Sequence, residues 1–102
     1  MFKAMILLKR RENTTREAFA DWWLGQHRPL AEQLPGLQRA VFNLNHTDDP
    51  EGYDGISELW FQSQSAFEAA YASEIGKEVA ADSMRNVSAR ERLLVTEHII
   101  KS

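Results

Sequence analysis

The strand-length apolar segments of this chain are hydrophobic on both sides. Successive side chains of a strand point to opposite faces. In the segment Phe2 to Lys9, Phe2, Ala4, Ile6 and Leu8 therefore face one way, and Met5 and Leu7 the other. Gly55 to Phe61 sets Leu59 and Phe61 against Ile56 and Trp60, and Leu93 to Ile100 sets Leu93, Val95 and Ile99 against Leu94 and Ile100. A sheet with one wet face reads as strict apolar and polar alternation, so both faces here need a cover. With 102 residues the chain is one domain long. Its two helical stretches can cover one face only. A second copy of the chain is the natural cover for the other, which predicts a homodimer packed through its sheet faces. A domain of this size buries only roughly 60–70% of the surface its unfolded chain exposes, so the second copy would add substantially to the core.

The elements follow from punctuation and period. Lys9-Arg10-Arg11 and Asn13-Thr14-Thr15 close the first strand. Thr14 can cap a helix with Glu17 reaching back, and the pattern runs from Thr15 to about Leu34. At 100° per residue Phe19, Leu30, Trp23, Leu34, His27, Ala20 and Ala31 share a face about 120° wide, with Trp22 off it. Pro29 cannot donate to the Gly25 carbonyl, which predicts a bend or loosened turn around His27. Leu34-Pro35-Gly36-Leu37 ends the helix, Gly36 supplying the turn into a second strand at Leu37 to His46. A polar loop, Thr47 to Asp54, leads to the third strand. Ser63 or Ser65 caps the next helix, with Ser65 and Glu68 a candidate capping box. Ser73 restarts it through Ile75, Val79, Ala80 and Met84. Arg85 to Arg90 reads as a polar connection before the last strand. The order is βαββαβ: an α+β, ferredoxin-like protomer over residues 1–102, with a four-stranded antiparallel sheet and helices on one face.

Composition narrows the function classes. Twelve Lys and Arg against fifteen Asp and Glu give a net charge of −3, with signs interspersed and Lys9-Arg10-Arg11 the sole dense basic run. That argues against nucleic acid, which needs a basic stripe. The absence of cysteine removes disulfides, thiolate metal sites and any Cys nucleophile. The N-terminal segment lacks a signal-peptide pattern and is too short to span a bilayer, so the expectation is a cytoplasmic protein without a membrane partner.

Chemistry concentrates at one residue. The three histidines, His27, His46 and His98, show no metal-ligand spacing, no Gly-rich phosphate loop is present, and the expectation is no metal and no cofactor. His27 is an imidazole in an otherwise apolar helix face beside the Pro29 bend. Burial there would lower its pKa and keep it neutral, able to take or give a proton. Two readings stand: a core histidine hydrogen-bonded to backbone, or a proton-transfer residue. Phe19, Trp23, Phe42, Trp60 and Phe61 are likewise either plain core or the wall of a cavity between helix and sheet. Glu58, alternating with Ile56 and Trp60, is a second polar candidate at the sheet or dimer surface.

Several of these residues carry a family resemblance. Phe19-Ala20-Asp21-Trp22-Trp23 leading to His27-Arg28-Pro29-Leu30, Leu34-Pro35-Gly36-Leu37, Asp54-Gly55-Ile56-Ser57-Glu58-Leu59-Trp60-Phe61 and Thr96-Glu97-His98 together resemble the EthD family of dimeric α/β-barrel proteins. The resemblance implies that two ferredoxin-like protomers join their sheets into a barrel. Relatives of known activity include a methylmuconolactone methylisomerase and polyketide-tailoring dehydratases, which act without a cofactor on small cyclic or aromatic compounds. It further implies that His27 is the proton-transfer residue and that Ala40 and Leu59 line the same pocket. The chain departs from the isomerase at both places, with Ala40 for a tyrosine and Leu59 for a cysteine.

The leading reading is thus a protein binding a small hydrophobic cyclic or aromatic compound, with His27 as acid–base catalyst of an isomerisation or dehydration in xenobiotic or aromatic catabolism. Ethyl tert-butyl ether degradation, which gives the family its name, is one such setting. A non-catalytic carrier or accessory dimer for an oxygenase system, and a cofactor-free monooxygenase, are the alternatives, and the sequence does not decide that the protein is an enzyme. The catalytic reading requires a cavity of roughly 300 Å³ beside His27.

Overall fold

The computed structural model describes residues Met1–Ser102. The first strand, β1 (Phe2–Arg10), is followed by a helix that begins as α1 (Arg16–Asp21), widens into a π-helical turn (Trp22–His27) and ends as α2 (Arg28–Ala31). Strands β2 (Arg39–Leu44) and β3 (Gly55–Phe61) come next, then helices α3 (Gln64–Ala72) and α4 (Glu74–Asn86), and strand β4 (Val87–Thr96). The four strands form one antiparallel sheet in the order β2-β3-β1-β4. This is the ferredoxin-like arrangement, with the apolar β1 and β3 at the centre, where both strand edges are paired. No helix is long and apolar enough to cross a membrane.

Register assigns the faces. Ala4 pairs with Leu59, and Leu59 with Ala40; Ile6 pairs with Ser57, and Ser57 with Phe42. This row lies under the helices, where Ala4, Ile6, Leu8, Ser57, Leu59 and Phe61 are buried against Phe19, Trp22, Trp23, Phe67 and Val79. On the other face Lys3, Met5 and Leu7 lie opposite Trp60, Glu58 and Ile56, and opposite Val95, Leu93 and Glu91. Met5, Leu7, Val41, Ile56 and Val95 are only half-buried there, and Leu93 is 49% exposed. The two-sided apolar patterning thus corresponds to one covered and one open face.

Several expected boundaries move. The first helix is capped by Thr15, whose Oγ1 accepts from the Ala18 N–H at 3.0 Å, and not by Thr14. Ser63 caps α3 by accepting from Ala66, which leaves Ser65 inside the helix and removes its capping box with Glu68. Ser73 restarts the helix as expected, accepting from Gly76. Strand β2 is shorter than Leu37 to His46. The segment Arg85 to Arg90 is no connection: α4 runs to Asn86 and β4 starts at once at Val87, ending at Thr96, so Ile99 and Ile100 lie exposed beyond it. The polar start of β4 hides its strand character because Arg90 and Arg92 lay their guanidinium groups over Tyr71 and Phe67, 5.9 and 5.5 Å from the ring centroids. Long apolar stems under a charged head make such residues part of the packing.

Gly36 has φ +79°, the left-handed turn that releases the chain from the helix into β2. Gly55 answers to a different constraint. A Cβ placed there would come within 2.7 Å of the Trp23 ring and 3.1 Å of Phe19. We expect Gly55→Ala to lower stability by about 1–3 kcal/mol in chemical denaturation, the usual cost of overpacking a core. An unchanged denaturation midpoint would contradict this placement of Trp23.

Candidate active site

The site is built by a distortion of the first helix. Pro29 has no N–H to give the Gly25 carbonyl, and the preceding turn is wide: the Arg28 N–H bonds to the Trp23 carbonyl, five residues back. In a regular helix Trp22 and His27 would point about 140° apart. The wide turn brings both inward, with ring centroids 5.0 Å apart. Trp22, expected off the apolar face, is consequently buried in the core with Trp23 and His27.

A carboxylate from α4 meets these two rings. Asp82 Oδ2 accepts from Trp22 Nε1 at 3.1 Å and from His27 Nδ1 at 2.8 Å. Asn86 Nδ2 donates to the Asp82 backbone carbonyl at 2.8 Å, and Arg85 lies 3.6 Å from Oδ1. A carboxylate acceptor on Nδ1 assigns the proton to that nitrogen and leaves Nε2 with a free lone pair. Nε2 points toward Ser83, whose Oγ lies 3.5 Å away. Beside it is a small void lined by Ile6, Leu8, Trp23, His27, Ala31, Phe42, Ser57, Leu59, Tyr71, Val79, Ser83 and Arg90.

Of the residues singled out in the sequence, His27, Trp23, Phe42 and Leu59 meet at this void. Phe19 packs against Trp22 and Trp23 and Phe61 against Phe67, and neither lines the void. Ala40 is exposed on the edge strand, next to Leu59 in register. Trp60 and Glu58 lie on the open face, Glu58 bound to Lys3 at 2.6 Å. The hydrogen bond to Lys3 holds the Glu58 carboxyl below its ordinary range. His46 and His98 are exposed outside the strands. The void measures about 10 Å³, the size of one water and far below the ring-sized cavity the catalytic reading requires. Trp23 stacking on Phe42 at 4.4 Å and 11° fills one side, while Tyr71 and Arg90 close the other. Phe42, Tyr71 and Arg90 are the lining residues that reach the surface, so access is through them.

Asp82, Ser83 and Arg90 were not evident as site residues. A signal for the first existed: Ile75, Val79 and Asp82 recur at helical spacing, which places a carboxylate on the apolar stripe of α4.

Burial pushes the His27 imidazole below its ordinary value of 6.5, and the Arg90 charge acts in the same direction; the Asp82 carboxylate opposes both without overcoming them. The resting imidazole is therefore neutral. Its folded-state pKa lies below the unfolded one, so between the two values the unfolded chain holds the extra proton and stability falls as pH falls below about 6.5. We expect wild type to lose stability relative to His27→Gln between pH 7.5 and 5.5, by up to about 1.4 kcal/mol per unit of pKa depression. A wild-type-minus-variant difference that is flat with pH would contradict the buried neutral state.

Comparison with known proteins identifies the fold and the family. The chain is 29% identical over 82 residues to an uncharacterised 11.0 kDa protein of the thcB-thcC intergenic region of Rhodococcus erythropolis, covering 78% of this chain and 80% of that protein. Its fold is similar to that of an ethyl tert-butyl ether degradation (EthD) family protein from Bacillus halodurans, with a TM-score of 0.83 at 20% identity over 96% of this chain and 99% of that one. It is similar also to SnoaB, a cofactor-independent oxygenase from Streptomyces nogalater, with a TM-score of 0.72 at 14% identity over 98% and 97%. Other solved chains of this fold are described as dimeric. The EthD domain model matches residues 11–89, which carry the π-helical turn, His27 and Asp82, and the chain belongs to the EthD family.

Proposed function

We propose that the protein binds a small, apolar, cyclic or aromatic compound at the His27 void and moves a proton on it without a cofactor, as an isomerase or dehydratase of aromatic or xenobiotic catabolism. The observation that carries this reading is the neutral imidazole whose Nδ1 is committed to Asp82 while Nε2 has only the Ser83 hydroxyl, 3.5 Å away, at the edge of a mostly apolar void. Such a nitrogen is a general base: it takes a proton from a carbon acidified by a neighbouring carbonyl and returns it to another carbon or to a departing hydroxyl. Asp82 stabilises the imidazolium formed in between, and the low dielectric of the pocket strengthens that attraction. Entry of a ring requires Phe42, Tyr71 or Arg90 to swing outward, since the resting void holds no more than a water. We expect His27→Ala to lower turnover of an unsaturated lactone or a polyketide-like phenol by about 10²–10⁴-fold, and Asp82→Asn to lower it less. Turnover by His27→Ala equal to wild type would remove the mechanism.

A carrier or accessory role for an oxygenase system is the second reading. It is favoured by the site having a single proton-transfer group, with Ala40 and Leu59 standing where the isomerase resemblance has a phenol and a thiol. Ligand binding that survives His27→Ala without any turnover in wild type would establish it. The fold shared with a cofactor-independent oxygenase supports a third, direct oxygenation of an electron-rich quinol, which oxygen uptake would reveal.

The active form in this reading is a cytoplasmic homodimer of one EthD-like domain, joined through the open sheet face. Met5, Leu7, Val41, Ile56, Leu93 and Val95 form a continuous apolar field there, around the Lys3–Glu58 pair. Sedimentation is expected to give twice the 11.7 kDa chain mass, and Leu93→Glu to shift the protein toward monomer. A wild-type monomer at micromolar concentration would contradict the paired form.

A further inference from the structure

Arg90 is the one cation that lines the His27 void. It stands in β4 opposite Leu8, on the helix-covered face, with its guanidinium over the Tyr71 ring. Its Nε is buried with no hydrogen-bond partner in the protein. None of the ion pairs of the chain involves it. A buried donor on a charged group without a partner is costly, and proteins seldom retain one without a use. The carboxylate of the site, Asp82, is already committed to Trp22 and His27. The charge on offer at the void is thus a single positive one, presented by a planar fork, next to a neutral base and mostly apolar walls.

Resting on the pocket reading above, we propose that Arg90 is the specificity residue of the His27 pocket and that the ligand carries a carboxylate on its apolar ring or side arm. A guanidinium matches a planar carboxylate with two parallel hydrogen bonds, which a phosphate dianion in this one-cation, mostly apolar site would not find balanced. Ser57 and Ser83 supply further hydroxyls along the lining. Arg90 also stands at the surface end of the void, so drawing its head toward a ligand carboxylate moves it off Tyr71 and opens the hollow that is closed at rest.

The test compares benzoate with benzamide, planar molecules of the same shape that differ in charge, at pH 7. Affinity is measured by calorimetry, and location by the shift of the His27 ring resonances. Wild type is expected to prefer benzoate by about tenfold or more. Arg90→Met keeps the stem over Tyr71 and should abolish the preference, bringing benzoate and benzamide to the same affinity. Arg90→Lys should keep part of the preference. Thermal melting of each variant checks that it folds. Benzamide and benzoate binding equally near His27 in wild type, or a preference that survives Arg90→Met, would overturn the assignment of Arg90 and leave the pocket standing. Failure of both probes to perturb His27 would overturn the pocket reading and this proposal together.

Discussion

One carboxylate ties the helical layer together. Asp82 on α4 receives two ring N–H groups, from Trp22 and His27, that belong to a single distorted turn of the first helix. Both rings are buried, so loss of this acceptor would leave two donors without a partner, at about 1–3 kcal/mol each. The same contact selects the tautomer of His27 and fixes its ring plane, with Nε2 toward Ser83. In the proposed mechanism, fold and reactivity at this place therefore share one interaction.

The π-helical turn is what makes the contact reachable. Its wider circumference lets Trp22, Trp23 and His27 all turn inward from consecutive turns of one helix. Trp23 continues the stack onto Phe42 of β2 and rests over Gly55 of β3, where a side chain would not fit. The helix is thus seated on the sheet by aromatic area and on α4 by polar bonds, and His27 sits where the two kinds of packing meet. Widened turns of this kind recur at functional sites because they trade regular hydrogen bonding for an unusual side-chain direction.

Much of this was legible in the residues. The apolar runs located three strands and showed that both sheet faces seek cover, and Pro29 with Gly25 announced an irregular turn around His27. Trp22 reads as off the apolar face because a 3.6-residue period assumes the regular helix that Pro29 disrupts. Asp82 is not legible in the sequence because its partners lie 55 and 60 positions away and nothing local marks it apart from its place on an apolar stripe. Arg90 and Arg92 concealed the first half of β4, since charge reads as solvent while their stems serve as packing over Tyr71 and Phe67. The missing information was of one kind: long-range polar partners and amphipathic side chains, which periodicity does not encode.

The open sheet face and the His27 void occupy opposite sides of the same central strands, β1 and β3. Glu58 and Ser57 are neighbours in sequence, one on the open face and the other in the lining of the void. At the centre of this arrangement is the protonation state of one ring. Nitrogen-15 NMR of the His27 imidazole at pH 7 addresses it directly. The structure predicts a protonated, pyrrole-like Nδ1 and an unprotonated, pyridine-like Nε2, persisting to below pH 6.5 and losing that tautomer preference in Asp82→Asn. A doubly protonated ring at pH 7, or the proton on Nε2, would contradict the account.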